Sequence, residues 1–146
     1  MDKASKPPGP SSIEARNRML AARQRDTGAE IALRRALHAA GLRYRVDRTV
    51  LPGTRRRADV VFSSDRVAVF VDGCFWHGCP VHATQPKANR LWWRDKLETN
   101  RRRDRDTDRR LTEAGWHVIR VWEHEAAAEA AARIVWTLDN RRARSR

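Results

Sequence analysis

The sequence predicts an α/β domain with a central mixed sheet flanked by helices, and three observations carry that reading. ADVVF (58–62) and VAVFV (67–71) are apolar runs of strand length on either side of Ser63-Ser64-Asp65-Arg66, the pattern of a β-hairpin inside a covered sheet. WHVIRVW (116–122) reads as a third central strand. Stretches with helical spacing precede, separate and follow these strands, so the order is helix, hairpin, helix, strand, helix.

Taken in order, MDKASKPPGPSS (1–12) reads as a flexible arm, and a short helical piece follows from Ile13 to about Arg23. Asp26-Thr27 offers a cap for a helix from Gly28 to Ala40, whose Ile31, Leu33, Leu37 and Ala40 approximate one stripe, and Gly41 ends it. Leu42 to Val46 reads as a short strand before a turn at Pro52-Gly53. From Lys87 to about Ala114 the spacing predicts one long helix carrying Leu91, Trp92, Leu97 and Leu111. Its middle, RRRDRDTDRR, is so charged that a break near residue 100 is compatible with the pattern. Gly115 stops this helix, and Ala126 to Leu138 forms a closing one. The domain then spans 13–141, with 142–146 as a basic tail.

A chain of 146 residues has the length of one domain. Lys and Arg number 31 against 18 Asp and Glu, a net charge of +13 carried mostly by arginine, whose planar fork suits phosphate. The expected partner is a polyanion. Two cysteines so close together exclude a disulfide-rich secreted framework, and no apolar run reaches the length of a membrane span. An intracellular protein, cytoplasmic and held on the nucleoid through DNA, is the expectation.

Carboxylates sit where a cation would be held. Asp59 lies at the start of one hairpin strand and Asp72 at the end of its neighbour, so both belong to one edge of the sheet. Buried aspartates there need a compensating positive charge, and magnesium takes one or two protein carboxylates and completes its shell with phosphate and water. Glu30 is a third donor if its helix face turns inward, and otherwise a solvated residue; Asp72 is either a ligand or a cap for the turn into Gly73.

VDGCFWHGCPVH (71–82) concentrates chemistry further. Cys74, Cys79 and His82 are three zinc-compatible ligands within nine residues, and His124, after the third strand, is the best candidate for the fourth. A four-coordinate site of this kind is closed and structural. His77 is then left over as a general base, or else replaces His82 or packs beside Trp76. Phe75, Trp76, Trp92 and Trp93 surround this segment, either as an aromatic wedge between bases or as ordinary core. Arg55, Arg56, Arg57, Arg101, Arg102 and Arg103 are candidates for the phosphate backbone.

SSIEARNRMLAARQRDTGAE, LPGTRRRADVVF, VAVFVDGCFWHGCPVH and NRRRDRDTDRRLTEAGWHVIRVWEHE together resemble the very-short-patch repair (Vsr) mismatch endonucleases over roughly residues 11–125. The resemblance implies a restriction-endonuclease-like fold with an added structural zinc. The implied activity is nicking of double-stranded DNA beside the thymine of a T:G mismatch left by deamination of 5-methylcytosine. Asp59 matches the catalytic magnesium-binding aspartate, Glu30 a helix glutamate near the metal, and His77 the histidine beside the attacking water. Phe75, Trp76 and Trp92 or Trp93 match intercalating aromatics; Cys74 matches a zinc cysteine, while Cys79, His82 and His124 are assigned by ligand chemistry as much as by alignment.

Three positions depart from the family pattern. Val71-Asp72 stands where a threonine-histidine pair is best known, Cys74 occupies the place of a restriction-type lysine, and His124 that of a common cysteine. The expectation is therefore a monomeric nuclease with catalytic Mg2+ and structural Zn2+, functionally linked to a cytosine-5 DNA methyltransferase. A restriction or phage-defence nuclease and a non-catalytic zinc-stapled DNA-binding module are the rivals.

Overall fold

The computed structural model describes residues 27–74 and 89–144. The N-terminal arm, the helical piece from Ile13 and the segment 75–88 lie outside the described residues. Among the described residues seven elements follow one another: α1 (Gly28–Ala39), β1 (Arg45–Thr49), β2 (Arg57–Phe62), β3 (Val67–Asp72), α2 (Arg90–Glu113), β4 (His117–Trp122) and α3 (Ala127–Arg144). The sheet order is β1-β2-β3-β4, antiparallel between the first three strands and parallel between β3 and β4. This is the mixed, helix-flanked sheet expected of a restriction-endonuclease-like α/β domain.

Both faces of the sheet are covered. On one, Val60, Phe62, Val67, Val69, Ile119 and Val121 pack with Leu33 and Leu37 of α1 and Ile134 and Leu138 of α3. On the other, Ala58, Val61, Ala68 and Phe70 pack with Leu111 of α2 and with Leu51. Burial on two faces is why the strands of the hairpin are continuous apolar runs. The crossover from β3 to the parallel β4 passes through α2, so the C-terminal ends of these two strands open at the same edge.

The helix stops follow from backbone hydrogen bonding. After α1, Gly41 at φ +79 lets its own N–H reach His38 O (2.9 Å) and Leu42 N–H reach Leu37 O (3.1 Å). Gly115 at φ +89 repeats the arrangement after α2, with Trp116 N–H on Leu111 O at 2.9 Å. Both are Schellman closures, which require a left-handed residue that glycine adopts without steric cost.

Three features differ from the sequence reading: the bounds of the first strand, the length of the last helix, and the place of β4, read as central but lying at the edge of the described sheet. The first strand lies three residues later than expected, because Leu42 and Tyr44 cover the core instead: Tyr44 packs edge-on against Phe62 and donates its hydroxyl to Arg34 O (2.9 Å). β1 itself is a mostly exposed polar edge strand, RVDRT. Helix α2 runs unbroken for 24 residues. Glu98 pairs with Arg101, Arg102 and Arg105, and Asp106 with Arg109 and Arg110, so the charge run braces its own helix. Helix α3 continues into the expected tail as far as Arg144, tied down where Arg141 donates to Asp65 O and Arg142 pairs with the Asp65 carboxylate.

Ile134 is fully buried at the centre of the larger core. Ile134→Ala should lower the free energy of urea unfolding by about 2–5 kcal/mol with little change in the denaturant slope.

Candidate active site at the sheet edge

Asp59 sits where β2 loses its regularity. Val60 and Phe62 face α1 and α3, yet Ala58, which strict alternation would place with them, packs on the α2 side with Val61. Opposite this step, between the pairs Val46↔Val60 and Arg48↔Ala58, Asp47 of β1 takes φ +51. The β2–β3 pairing runs only from Phe62↔Val67 to Val60↔Val69, and beyond it the Val71 N–H is taken by Asp59 Oδ2 at 2.6 Å. A side chain thus substitutes for the missing ladder bond, which fixes the carboxylate at the opening between two strands.

Glu30 reaches the same region from α1. Thr27 caps that helix by accepting the Glu30 N–H on its hydroxyl (3.2 Å), and the Glu30 side chain is buried with Arg34 Nη2 at 3.5 Å from Oε2. Burial is the main reason that the Asp59 carboxyl is pushed up to about 7. The Val71 N–H and Arg34 pull it down, while the charges of Glu30 and Asp72 push it up. Such an environment is short of positive charge, and its hard oxygen donors fit magnesium.

Asp72 is buried as expected, but its carboxylate is turned onto Arg120, whose Nη1 lies 2.9 and 3.2 Å from the two oxygens. The same guanidinium forms a fork with Asp108 of α2 at 2.7–3.0 Å and approaches Asp104 Oδ1 at 3.6 Å. It lies over the Phe70 ring, 4.4 Å from the centroid. Among the described residues no three His, Cys, Asp or Glu side chains come together as a metal site. The acidic triple read from the sequence is therefore one neighbourhood, without being one ligand set.

At the ends of the parallel strands, Cys74 Sγ lies 3.2 Å from His124 Nδ1, and the Cys74 N–H donates to Glu123 Oε1 at 2.9 Å. Two ligands on one tetrahedral zinc stand about 3.6 Å apart, so this pair fits two of the four expected positions. The Trp122 ring stacks on His124 with an interplanar angle of 11°. Cys79, His82, His77, Phe75 and Trp76 lie outside the described residues.

On α2, Trp93 is buried and meets the half-buried Trp92 edge-on at 4.8 Å, so Trp92 has the more accessible ring. The candidate arginines also separate. Arg56 is a strut, donating to Asp106 Oδ2 at 2.6 Å and Thr107 Oγ1 at 3.0 Å, and Arg57 pairs with Asp47. Arg55 and Arg103 are exposed, as are Arg101 and Arg102, which share Glu98. Sequence reasoning missed Arg120 and Asp108. The signal was present: an arginine inside HVIRVW, facing an apolar layer, demands a counter-charge.

The model of the family described as DNA mismatch endonuclease Vsr matches residues 12–83. The type II nicking enzyme V.NaeI of Lentzea aerocolonigenes is 46% identical over 133 residues, covering 90% of this chain and 80% of that protein. V.XorIIP, a type II nicking enzyme of Xanthomonas oryzae pv. oryzae, is 43% identical over 104 residues, 70% of this chain and 74% of the relative. DNA mismatch endonuclease Vsr of Escherichia coli is 40% identical over 106 residues, 72% of this chain and 66% of its own length.

The chain belongs to the Vsr endonuclease family. It is accordingly a DNA endonuclease, a hydrolase of phosphodiester bonds, in a family whose nucleases are generally metal-dependent. In this chain the Asp59 carboxyl lies at the sheet edge, within electrostatic reach of Glu30 and Asp72. No helix among the described residues is long and apolar enough to cross a membrane.

An aspartate carboxyl at about 7, against 3.8 in the unfolded chain, binds its proton more tightly when folded. The metal-free protein should therefore lose stability as pH rises from about 4 to about 7 through this group. Asp59→Asn, which keeps an acceptor for Val71, should gain on wild type across that window and hold its advantage above it. Urea unfolding in chelator at pH 5 and pH 8 measures this; an equal difference at both pH values would refute it.

Proposed function

We propose that this Vsr-family endonuclease nicks double-stranded DNA beside the thymine of a T:G mismatch arising from 5-methylcytosine deamination, by magnesium-dependent hydrolysis. The observation that carries the reading is Asp59, fixed by the Val71 N–H and crowded by carboxylate charge at an irregular strand edge. A divalent cation beside such a group would offset the cost of its buried charge, and its resemblance to the family's catalytic aspartate gives it that role. Relatives that carry the name nicking enzyme support a cut in one strand.

Asp59 would hold the magnesium, with Glu30 close by. When bound, the ion would supply charge stabilisation to a phosphate and acidity to water. His77 accepts the water proton, and Phe75, Trp76 and Trp92 enter the stack beside the mismatch, where unstacking is least costly. Cys74, Cys79, His82 and His124 hold a closed structural zinc that takes no part in hydrolysis. Arg55, Arg101, Arg102 and Arg103 lie on phosphates of the duplex. The enzyme acts as a monomer and serves a cytosine-5 methyltransferase, whose product is the source of the mismatch.

A labelled duplex with one T:G pair in a former 5-methylcytosine context, beside its fully paired counterpart, tests the proposal. The expected result is one magnesium-dependent nick on the thymine strand, absent from the paired duplex and from Asp59→Ala. Tight binding with no nick, at ample magnesium and across several flanking contexts, would sink it.

The arginines give a separate check. Arg55→Ala should weaken DNA binding and reduce the slope of log affinity against log salt by about 1. Arg56→Ala should instead lower the melting temperature, because it frees α2 from the β1–β2 connection.

A further inference from the structure

We infer that Arg120 is a positioning residue for Asp59, acting through Asp72, and that Asp72 is the charge partner of Arg120 and not a magnesium ligand. The inference rests on the reading of Asp59 as the magnesium site. Its starting point is the direction of the Asp72 side chain. Phe70 pairs with Arg120 in the parallel register, and Asp72, two residues on, shares the face of Phe70 by strand alternation. That face is covered by α2, whereas Glu30 comes from α1 on the other side of the sheet.

Asp72 is thus buried on the α2 side, where both of its oxygens accept from Arg120 Nη1. A metal at those oxygens would have to displace a charge-assisted bond of 2.9 Å inside the protein. Arg120 is itself fixed by its fork with Asp108 and by Phe70 beneath it, so the guanidinium is a rigid post.

The path from this post to the reaction is short. Anchoring Asp72 fixes the end of β3, which the Asp72 carbonyl also ties to β4 through the Glu123 N–H at 2.9 Å. One residue earlier is the Val71 N–H, the donor that orients Asp59 Oδ2. Two residues later is Cys74, already set against Glu123 and His124. Arg120 therefore aligns the Asp59 oxygen, without touching substrate or metal itself.

The test uses the full chain with Asp72→Asn, Arg120→Leu and the two combined. Three properties are read: urea unfolding without metal, the melting-temperature rise given by magnesium, and the nicking rate against magnesium concentration. Asp72→Asn retains an acceptor for Arg120, so its half-saturating magnesium should stay within about threefold of wild type and its magnesium-induced stabilisation should persist. Arg120→Leu removes the guanidinium to which both Asp72 oxygens are bonded; the nicking rate at saturating magnesium should fall about 10–100-fold and the urea midpoint with it. Adding Asp72→Asn to Arg120→Leu should recover part of both losses.

Arg120→Lys keeps the charge and loses the fork, and serves the same cycle if the leucine variant does not fold. Its rate should fall with the magnesium midpoint unmoved. The inference is overturned if Asp72→Asn alone raises half-saturating magnesium about tenfold or more and abolishes the melting shift, with the double variant no better than Arg120→Leu. If the wild type nicks no mismatched duplex, the functional reading fails by itself, while unfolding and magnesium-induced stabilisation still decide the roles of Asp72 and Arg120.

Discussion

The contact between the Arg120 guanidinium and the carboxylates of Asp72 and Asp108 ties together the parts of this domain that have to be in register. It links the last residue of β3, the middle of β4 and the interior face of α2, with β3 far from the other two in the chain. An arginine turned against an apolar layer between sheet and helix would be costly if left unpaired, since desolvating its charge outweighs what the layer returns. Here carboxylates on two sides and an aromatic face below compensate it. Each contact demands a different direction, so the cluster admits essentially one arrangement of helix on sheet. The gain is definition of geometry more than net stability, because a well-packed apolar group at the same place would hold the layers together without fixing the direction of Asp72.

That definition matters because the adjoining edge is built against its own stability. Asp59 is held in a partly buried place beside Glu30 and Asp72, and its carboxyl answers by binding protons near neutrality. A chain with net charge +13 spreads arginine over much of its surface, which draws in DNA from a distance. At this edge carboxylates gather instead, with Arg34 and Arg120 beside Glu30 and Asp72. Under the proposed function, a cation at Asp59 would let phosphate approach that spot while the arginines outside it gather DNA broadly.

Much of this was legible in the sequence, for definite reasons. The hairpin and the last strand are apolar on both faces, and the stops at Gly41 and Gly115 leave few options because only a left-handed residue closes those helices. Asp59 and Glu30 could be singled out because a carboxylate beside an apolar run is conspicuous, and the Cys74–His124 contact because thiol and imidazole are few. The displaced first strand was hidden because Leu42 and Tyr44 look strand-like, whereas their burial comes from covering the end of the core. The direction of Asp72 was hidden for a deeper reason: nothing local relates position 72 to positions 108 and 120. Only the crossover through α2 brings a strand arginine within reach of both aspartates.

The parallel pairing of β3 with β4 also brings two different sets of side-chain donors into one small region. Because the strands run the same way, both release their C-terminal residues at one edge: Asp72, Gly73 and Cys74 from one, Glu123 and His124 from the other. The Asp59 carboxylate lies at the end of the β2–β3 ladder, and the Cys74 thiol and His124 imidazole lie just past the ends of β3 and β4. Under the proposed function these two donor sets would prefer different ions, hard oxygen suiting magnesium and sulfur with imidazole suiting zinc. Asp72, turned to Arg120, stands between them.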